Sequence, residues 1–187
     1  SQVQTGAVES GDLAAGAINS GDLPAGSVIQ VVSTTKTDTF SQTFSGNSTF
    51  SNDVTGLTAT ITPIYSSSLL VVFLNINVGS NVSDLDVTLF NNGSRVYIGD
   101  VDGSKGRTST LRQKVNSSPG SSSEAGDTIN IVAPIPANST SSQTFSVRLR
   151  HLTSATNTVY VNRVDSESDA GFSPRPASSI TVMEIAQ

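Results

Sequence analysis

The stretch LLVVFLNINV, residues 69–78, decides the fold. Leu69 to Leu74 are apolar without a break, and Asn75, Ile76, Asn77 and Val78 then alternate polar with apolar. Alternation is the two-residue period of a strand, whose successive side chains point to opposite faces. An unbroken apolar run of strand length predicts cover on both faces. The stretch therefore reads as a central strand, buried on both faces at its Leu69 end. The same period recurs in both directions along the chain. Ser27-Val28-Ile29-Gln30-Val31-Val32 and Thr58-Ala59-Thr60-Ile61-Thr62 precede it. Downstream, Asp86 to Phe90 and Arg95 to Ile98 flank Asn91-Asn92-Gly93-Ser94, a hairpin signal, because Asn-Gly supplies the positive φ of a tight turn. Thr128 to Val132, Thr144 to Arg150, Thr158 to Val161 and Ser179 to Ile185 complete the strand-like runs. Turn clusters such as Asp102-Gly103-Ser104-Lys105-Gly106 and Ser117-Ser118-Pro119-Gly120-Ser121 separate them. Roughly nine to eleven short strands and no convincing helix predict an all-β domain over 27–187. Its expected form is an antiparallel β-sandwich in a jelly-roll-like arrangement.

Residues 1–26 are written differently. Gly6-Ala7-Val8-Glu9-Ser10-Gly11-Asp12-Leu13-Ala14-Ala15 is echoed by Gly16-Ala17-Ile18-Asn19-Ser20-Gly21-Asp22-Leu23-Pro24-Ala25. Two or three apolar residues per copy cannot offset an ordering cost of about 1–2 kcal/mol per backbone residue. A flexible linker has no need of register, yet the glycines and apolar residues recur at identical offsets. Register makes sense when identical chains run side by side and bury those positions against each other. Residues 1–26 are therefore expected to form a shaft segment in which Val8, Leu13, Ile18 and Leu23 contact other copies. The first residue is Ser1 rather than Met, which reads as a fragment or processed product whose missing part lies upstream.

Composition excludes several functions. Only 13% of the 187 residues are charged, the net charge is -5, and the ten basic residues are scattered. A nucleic-acid partner would call for clustered Lys and Arg. There is no cysteine, so neither disulfides nor thiolate metal sites are available. No run approaches the ~20 apolar residues of a membrane helix, and membrane insertion is not expected. No cofactor is expected, because no Gly-rich loop precedes a helix.

The run from Gly6 to Val32, with its GAV/GAI decapeptides leading into Pro24-Ala25-Gly26-Ser27-Val28-Ile29-Gln30-Val31-Val32, resembles the end of tail-fibre and related appendage proteins of tailed bacteriophages, especially marine and cyanobacterial phages. Thr60-Ile61-Thr62-Pro63 followed by Ser66-Ser67-Ser68-Leu69-Leu70-Val71 is similar to a strand pair of that group, and Ser178 to Ala186 is similar to its closing strand. Leu69 departs from the group, which often carries Lys there. The middle of the chain, about 80 to 170, carries none of the likeness. The resemblance implies a homotrimeric fibre on the virion, joined through its N-terminal side to other appendage proteins. Its distal head would touch a polysaccharide or protein on the host cell surface. A collar- or head-attached decorating fibre, a polysaccharide depolymerase, a bacterial surface adhesin and a tumour-necrosis-factor-like trimeric head are the alternatives.

Chemistry-bearing residues are sparse. His151 is the sole histidine, no G-x-S-x-G elbow occurs, and a strand-end polar role is expected for it. Carboxylates two apart share a strand face, which makes Asp84 with Asp86, Asp100 with Asp102, and Asp165, Glu167 and Asp169 candidates for a sugar or a calcium ion. Asp100 and Asp102 lack the distal glutamate of a calcium loop, and no metal is expected. Enzymatic function is not expected either. Receptor contact is assigned to loops: Tyr97, Lys105, Arg107 and Arg112 around 101–125, and Tyr160, Arg163, Phe172 and Arg175 around 163–176.

Overall fold

A computed structural model describes residues 19–45, 50–80, 85–110, 126–151, 156–165, 169, 171 and 173–187. After a 3-10 turn at Ser20–Asp22 these residues form ten strands. They are β1 (Val28–Lys36), β2 (Phe40–Ser45), β3 (Ala59–Ile61), β4 (Leu69–Ser80), β5 (Leu85–Asn91), β6 (Ser94–Val96), β7 (Gly126–Pro136), β8 (Gln143–His151), β9 (Thr156–Val161) and β10 (Ser178–Ile185). All paired strands are antiparallel. One sheet runs β1-β10-β4-β9-β2, with β7 on the other edge of β4, and the second runs β3-β8-β5-β6.

Setting β2 and β9 aside exposes the logic of the fold. Of the eight remaining strands the first pairs with the last (β1·β10), the second with the seventh (β3·β8), the third with the sixth (β4·β7) and the fourth with the fifth (β5·β6). That is one long hairpin rolled into two sheets, the jelly-roll pattern. The Asn92-Gly93 turn, with φ of 47° and 80°, closes its tip. The core lies between the sheets: Leu70, Val72, Leu74, Ile76 and Val78 of β4 with Ile180 and Val182 of β10 face Phe145, Val147 and Leu149 of β8 and Val87 and Leu89 of β5.

β2 and β9 form an added pair beside the upper end of β4. Along one edge, β4 meets β10 from Leu69 to Asn75 and then β9 from Val78 to Ser80. Asn162 and Ser178 bridge the change of partner. The Asn162 amide donates to Asn77 O at 3.0 Å, and the Asn77 amide donates to Ser178 Oγ at 3.0 Å. Asn162 Nδ2 also donates to Lys36 O and Asp38 O, at 2.8 and 3.0 Å. Asn162 is fully buried and adopts φ of 58°, a conformation Asn tolerates better than most residues.

β4 is the central strand that its sequence predicts, but among the described residues the expected double cover at its Leu69 end is incomplete. Leu70, Val72 and Leu74 are buried, Leu69 and Val71 are half-buried, and Phe73 is 39% exposed. The outward positions line up in four rungs. In the first, Val28, Ile185, Leu69 and Pro136 stand side by side. Val31, Met183, Val71 and Pro134 make the second, and Ser33, Thr181, Phe73 and Val132 the third. Thr35, Ser179, Asn75 and Asn130 make the fourth. The face thus grades from apolar to polar, and no position in it is charged.

Candidate functional site

The registers set the two ends of the sandwich. Val28, Ile185, Leu69 and Pro136 mark one end, and Lys36, Ser178, Ser80 and Gly126 the other. The amino-terminal segment enters at the first end, where Gly26 N donates to Ala186 O at 2.8 Å and Ala186 N to Ser27 O at 2.9 Å. Ser20 Oγ and Tyr65 Oη lie 3.1 Å apart there, and Leu23 is 37% exposed. Val8, Leu13 and Ile18 lie outside the described residues.

Tyr160 and Arg163 come together at the opposite end. Tyr160 Oη donates to Asp165 Oδ1 at 2.6 Å, and the Arg163 guanidinium lies 4.6 Å from the centre of the Tyr160 ring. Arg163 Nε and Nη2 donate to Val164 O and Asp165 O. Burial raises the Tyr160 phenol above its usual pKa, and the hydrogen bond to Asp165 adds to the rise. This corner folds down onto β4 because residue 79 is glycine: a Cβ there would lie 2.4 Å from Arg163 O. Beside it opens a pocket of about 240 Å³ lined by Asn77, Asp127, Thr128, Arg163, Pro174 and Pro176, among others. Thr128 Oγ1 donates to Asn77 Oδ1 at 2.7 Å at its wall. Arg175, between the two prolines, is exposed, and Phe172 lies outside the described residues. The pocket wall holds an amide, a hydroxyl, a carboxylate and a guanidinium, with the amide also engaged by Ala177, to whose O Asn77 Nδ2 donates at 2.8 Å.

Tyr97, Lys105 and Arg107 belong to a different place, the loop after β6 at the edge of the second sheet. Tyr97 is 48% exposed with φ of 52°, an unfavourable conformation for a bulky residue. Lys105 pairs with Asp102, Arg107 Nε donates to Gly99 O at 2.5 Å, and Arg95 Nη1 donates to Arg107 O at 3.0 Å. Ser109 and Thr110 tie the loop to β5 by accepting from Leu89 N and Val87 N. Asp102 is thus engaged by a lysine, and Asp100 is exposed. Among the described residues no three His, Asp or Glu side chains gather as metal ligands would. Arg112 lies outside the described residues.

Other carboxylates singled out by spacing have structural partners. Asp86 is buried on the outward side of β5, where Arg150 Nη2 donates to it at 2.6 Å and Nε at 3.1 Å. Its expected companion Asp84, like Glu167, lies outside the described residues. His151 ends β8 fully buried, its ring 5.0 Å from that of Phe44, and burial lowers its pKa. Two arrangements escape sequence reading. On the outward side of the second sheet, Arg148 stacks 4.2 Å from the Phe90 ring and Arg150 4.9 Å from the Phe50 ring, and Asp53 accepts from Arg148 at 2.6 Å. The alternation of Ser146, Arg148 and Arg150 is the sequence signal for that layer. The second arrangement is Glu184, fully buried on β10. It accepts from the amides of Ile64 and Tyr65 at 2.8 and 3.1 Å and from Gln30 Nε2 at 2.5 Å. Burial pushes this carboxyl up, but the Gln30 side chain, the Ser68 hydroxyl and the amides of Ile64 and Tyr65 together outweigh it and hold the pKa below its usual value.

No family model matches the chain, and no curated protein shows significant similarity to it. Among solved structures it is similar to one described as the structure of infectious bursal disease virus Gx strain, with 14% sequence identity and a TM-score of 0.34. The match covers 84% of this chain and 37% of that one, so the chain spans a little over a third of that neighbour's length.

Proposed function

We propose that this chain is the terminal head of a homotrimeric virion appendage, a phage tail-fibre tip that attaches to the host cell surface through a surface glycan. The observation that carries it is the polarity of the sandwich. The repeat-bearing segment enters at the Val28 end, and the Tyr160–Arg163–Asp165 corner and its pocket lie at the far end of β4. β4 has twelve residues, which separates the two by about 40 Å. A fibre needs this layout, with attachment at one end and recognition at the other. The resemblance of residues 6–32 to phage fibre junctions supports the same assignment. Three copies would present three equivalent corners, so weak contacts add by avidity. The role is adhesive rather than enzymatic, in keeping with the capture of Asp86 by Arg150 and the burial of His151.

The test is binding of the labelled full chain to an array of bacterial surface polysaccharides and to intact cells. Saturable binding is expected, weakened about tenfold or more in Arg163→Ala and Tyr160→Phe, since avidity multiplies the loss at each site. No binding on any surface would refute attachment and leave a decorating fibre. Shortened polysaccharide after incubation would establish an enzyme instead.

A further inference from the structure

We infer that copies of this chain meet through the outer face of the six-stranded sheet, at the rungs nearest the amino-terminal segment. The inference rests on the multi-copy assembly proposed above and names the surface that would build it. An apolar run such as Leu69 to Leu74 belongs to a strand covered on both faces, yet among the described residues only the inward face is packed against a second sheet. The outward side chains remain open: Val28 is 50% exposed, Val31 52%, Phe73 39% and Val132 53%.

Charge distribution selects a second copy as the occupant. The chain carries ten basic and fifteen acidic residues, and none falls on the four rungs. Depletion of charge is the mark of an interface core, and a like face meets this one without repulsion. Four of the six polar positions pair with one another: Ser33 with Thr181 at 2.7 Å and Asn75 with Asn130 at 2.8 Å. Edge-to-edge pairing at β7 is disfavoured, because Pro134 and Pro136 remove amides from its free edge. Four strands by four rungs span about 19 by 27 Å, roughly 500 Å² of flat sheet before side-chain relief. That approaches the ~800 Å² of accessible surface that each partner gives to a standard interface. Position agrees as well: the apolar rungs begin at Val28, directly after the repeat, so chains aligned through residues 1–26 would bring these faces together.

The experiment is sedimentation velocity of the full chain over a concentration series, for wild type, Phe73→Lys and Val132→Lys. The wild type is expected to associate. Each lysine should raise the midpoint concentration about tenfold or more, since it places an unpaired charge in the contact. Thr43→Lys, on the same sheet but outside the rungs, should behave as wild type. A second measurement uses the absence of native cysteine and works even if a lysine variant unfolds. In the associated protein, Val132→Cys should react slowly with a maleimide and Thr43→Cys quickly. If the wild type associates while the lysine variants match it and both cysteines react alike, the face is wrong and the multi-copy assembly stands. If the wild type stays a single chain at every concentration, both fail.

Discussion

Glu184→Gln tests whether a buried charge locks the closing strand to the loop between β3 and β4. The carboxylate takes hydrogen bonds from two backbone amides and one side-chain amide. Gln30 Nε2 also donates to Thr62 O at 2.8 Å, so it cannot turn its oxygen to a new amide at residue 184 without losing that bond. A hydrogen bond to a charged group is worth about 1.5–3 kcal/mol and a neutral one about 1. Neutralising the site therefore weakens two bonds by about 1 kcal/mol each and disrupts the third. Relief of the carboxylate's desolvation works in the opposite direction. The depressed pKa decides the balance, because the folded protein favours the ionised form despite burial. The net loss is expected at about 1–3 kcal/mol near neutral pH, read from urea unfolding as a lower midpoint with unchanged slope. A depressed carboxyl pKa stabilises above the ordinary value of 4.5 and ceases to do so as pH falls through the folded value. The gap between wild type and Glu184→Gln should therefore close under acid. Equal or greater stability in the variant at neutral pH would refute the reasoning, as would a gap that stays constant down to about pH 3.

Three further outcomes follow from the same structure. Arg150→Ala leaves Asp86 buried without its partner and should cost about 3–5 kcal/mol, whereas Arg148→Ala, whose partner Asp53 is 44% exposed and whose guanidinium stacks on Phe90, should cost about 1–2 kcal/mol; urea unfolding compares them. Asn162→Gly keeps the positive φ but removes the donor to Lys36 O and Asp38 O and the acceptor for Ser178. A loss of about 2–4 kcal/mol is expected, with faster hydrogen exchange at the amide of Asn77 as its signature. Burial lowers the His151 pKa, so the folded state resists protonation. Stability should then fall as pH drops below the ordinary value of 6.5, by up to about 1.4 kcal/mol per pH unit, and a His151→Gln variant should be flat across that window.

Much of the strand content is legible in the chain itself. Val28 to Val32, Leu69 to Val78, the Asn92-Gly93 hairpin and Ser179 to Ile185 all announce themselves by local alternation or turn chemistry. β2 does not, because Phe40-Ser41-Gln42-Thr43-Phe44-Ser45 offers only two apolar residues. Its strand state comes from pairing with β9, including Thr43 against Thr158 at 2.8 Å. Candidate site residues were legible as types and not as neighbours. Tyr160 and Arg163 do meet, while Tyr97, Lys105 and Arg107 sit on the other sheet's edge. Glu184 and Asn162 gave no signal, since each acts on backbone groups more than a hundred residues away.

From sequence alone came the period of two, the turns, the absence of charge along the central strand and the change of character at Ser27. These are properties of short windows, set by side-chain alternation and φ preference. Only the tertiary structure decided that Val28 stands beside Ile185, that an eight-strand hairpin rolls into two sheets, and that Phe73 in the middle of the apolar run faces outward and exposed. Those outcomes depend on closing loops across most of the chain, where many registers satisfy the same local pattern and packing between the sheets selects one.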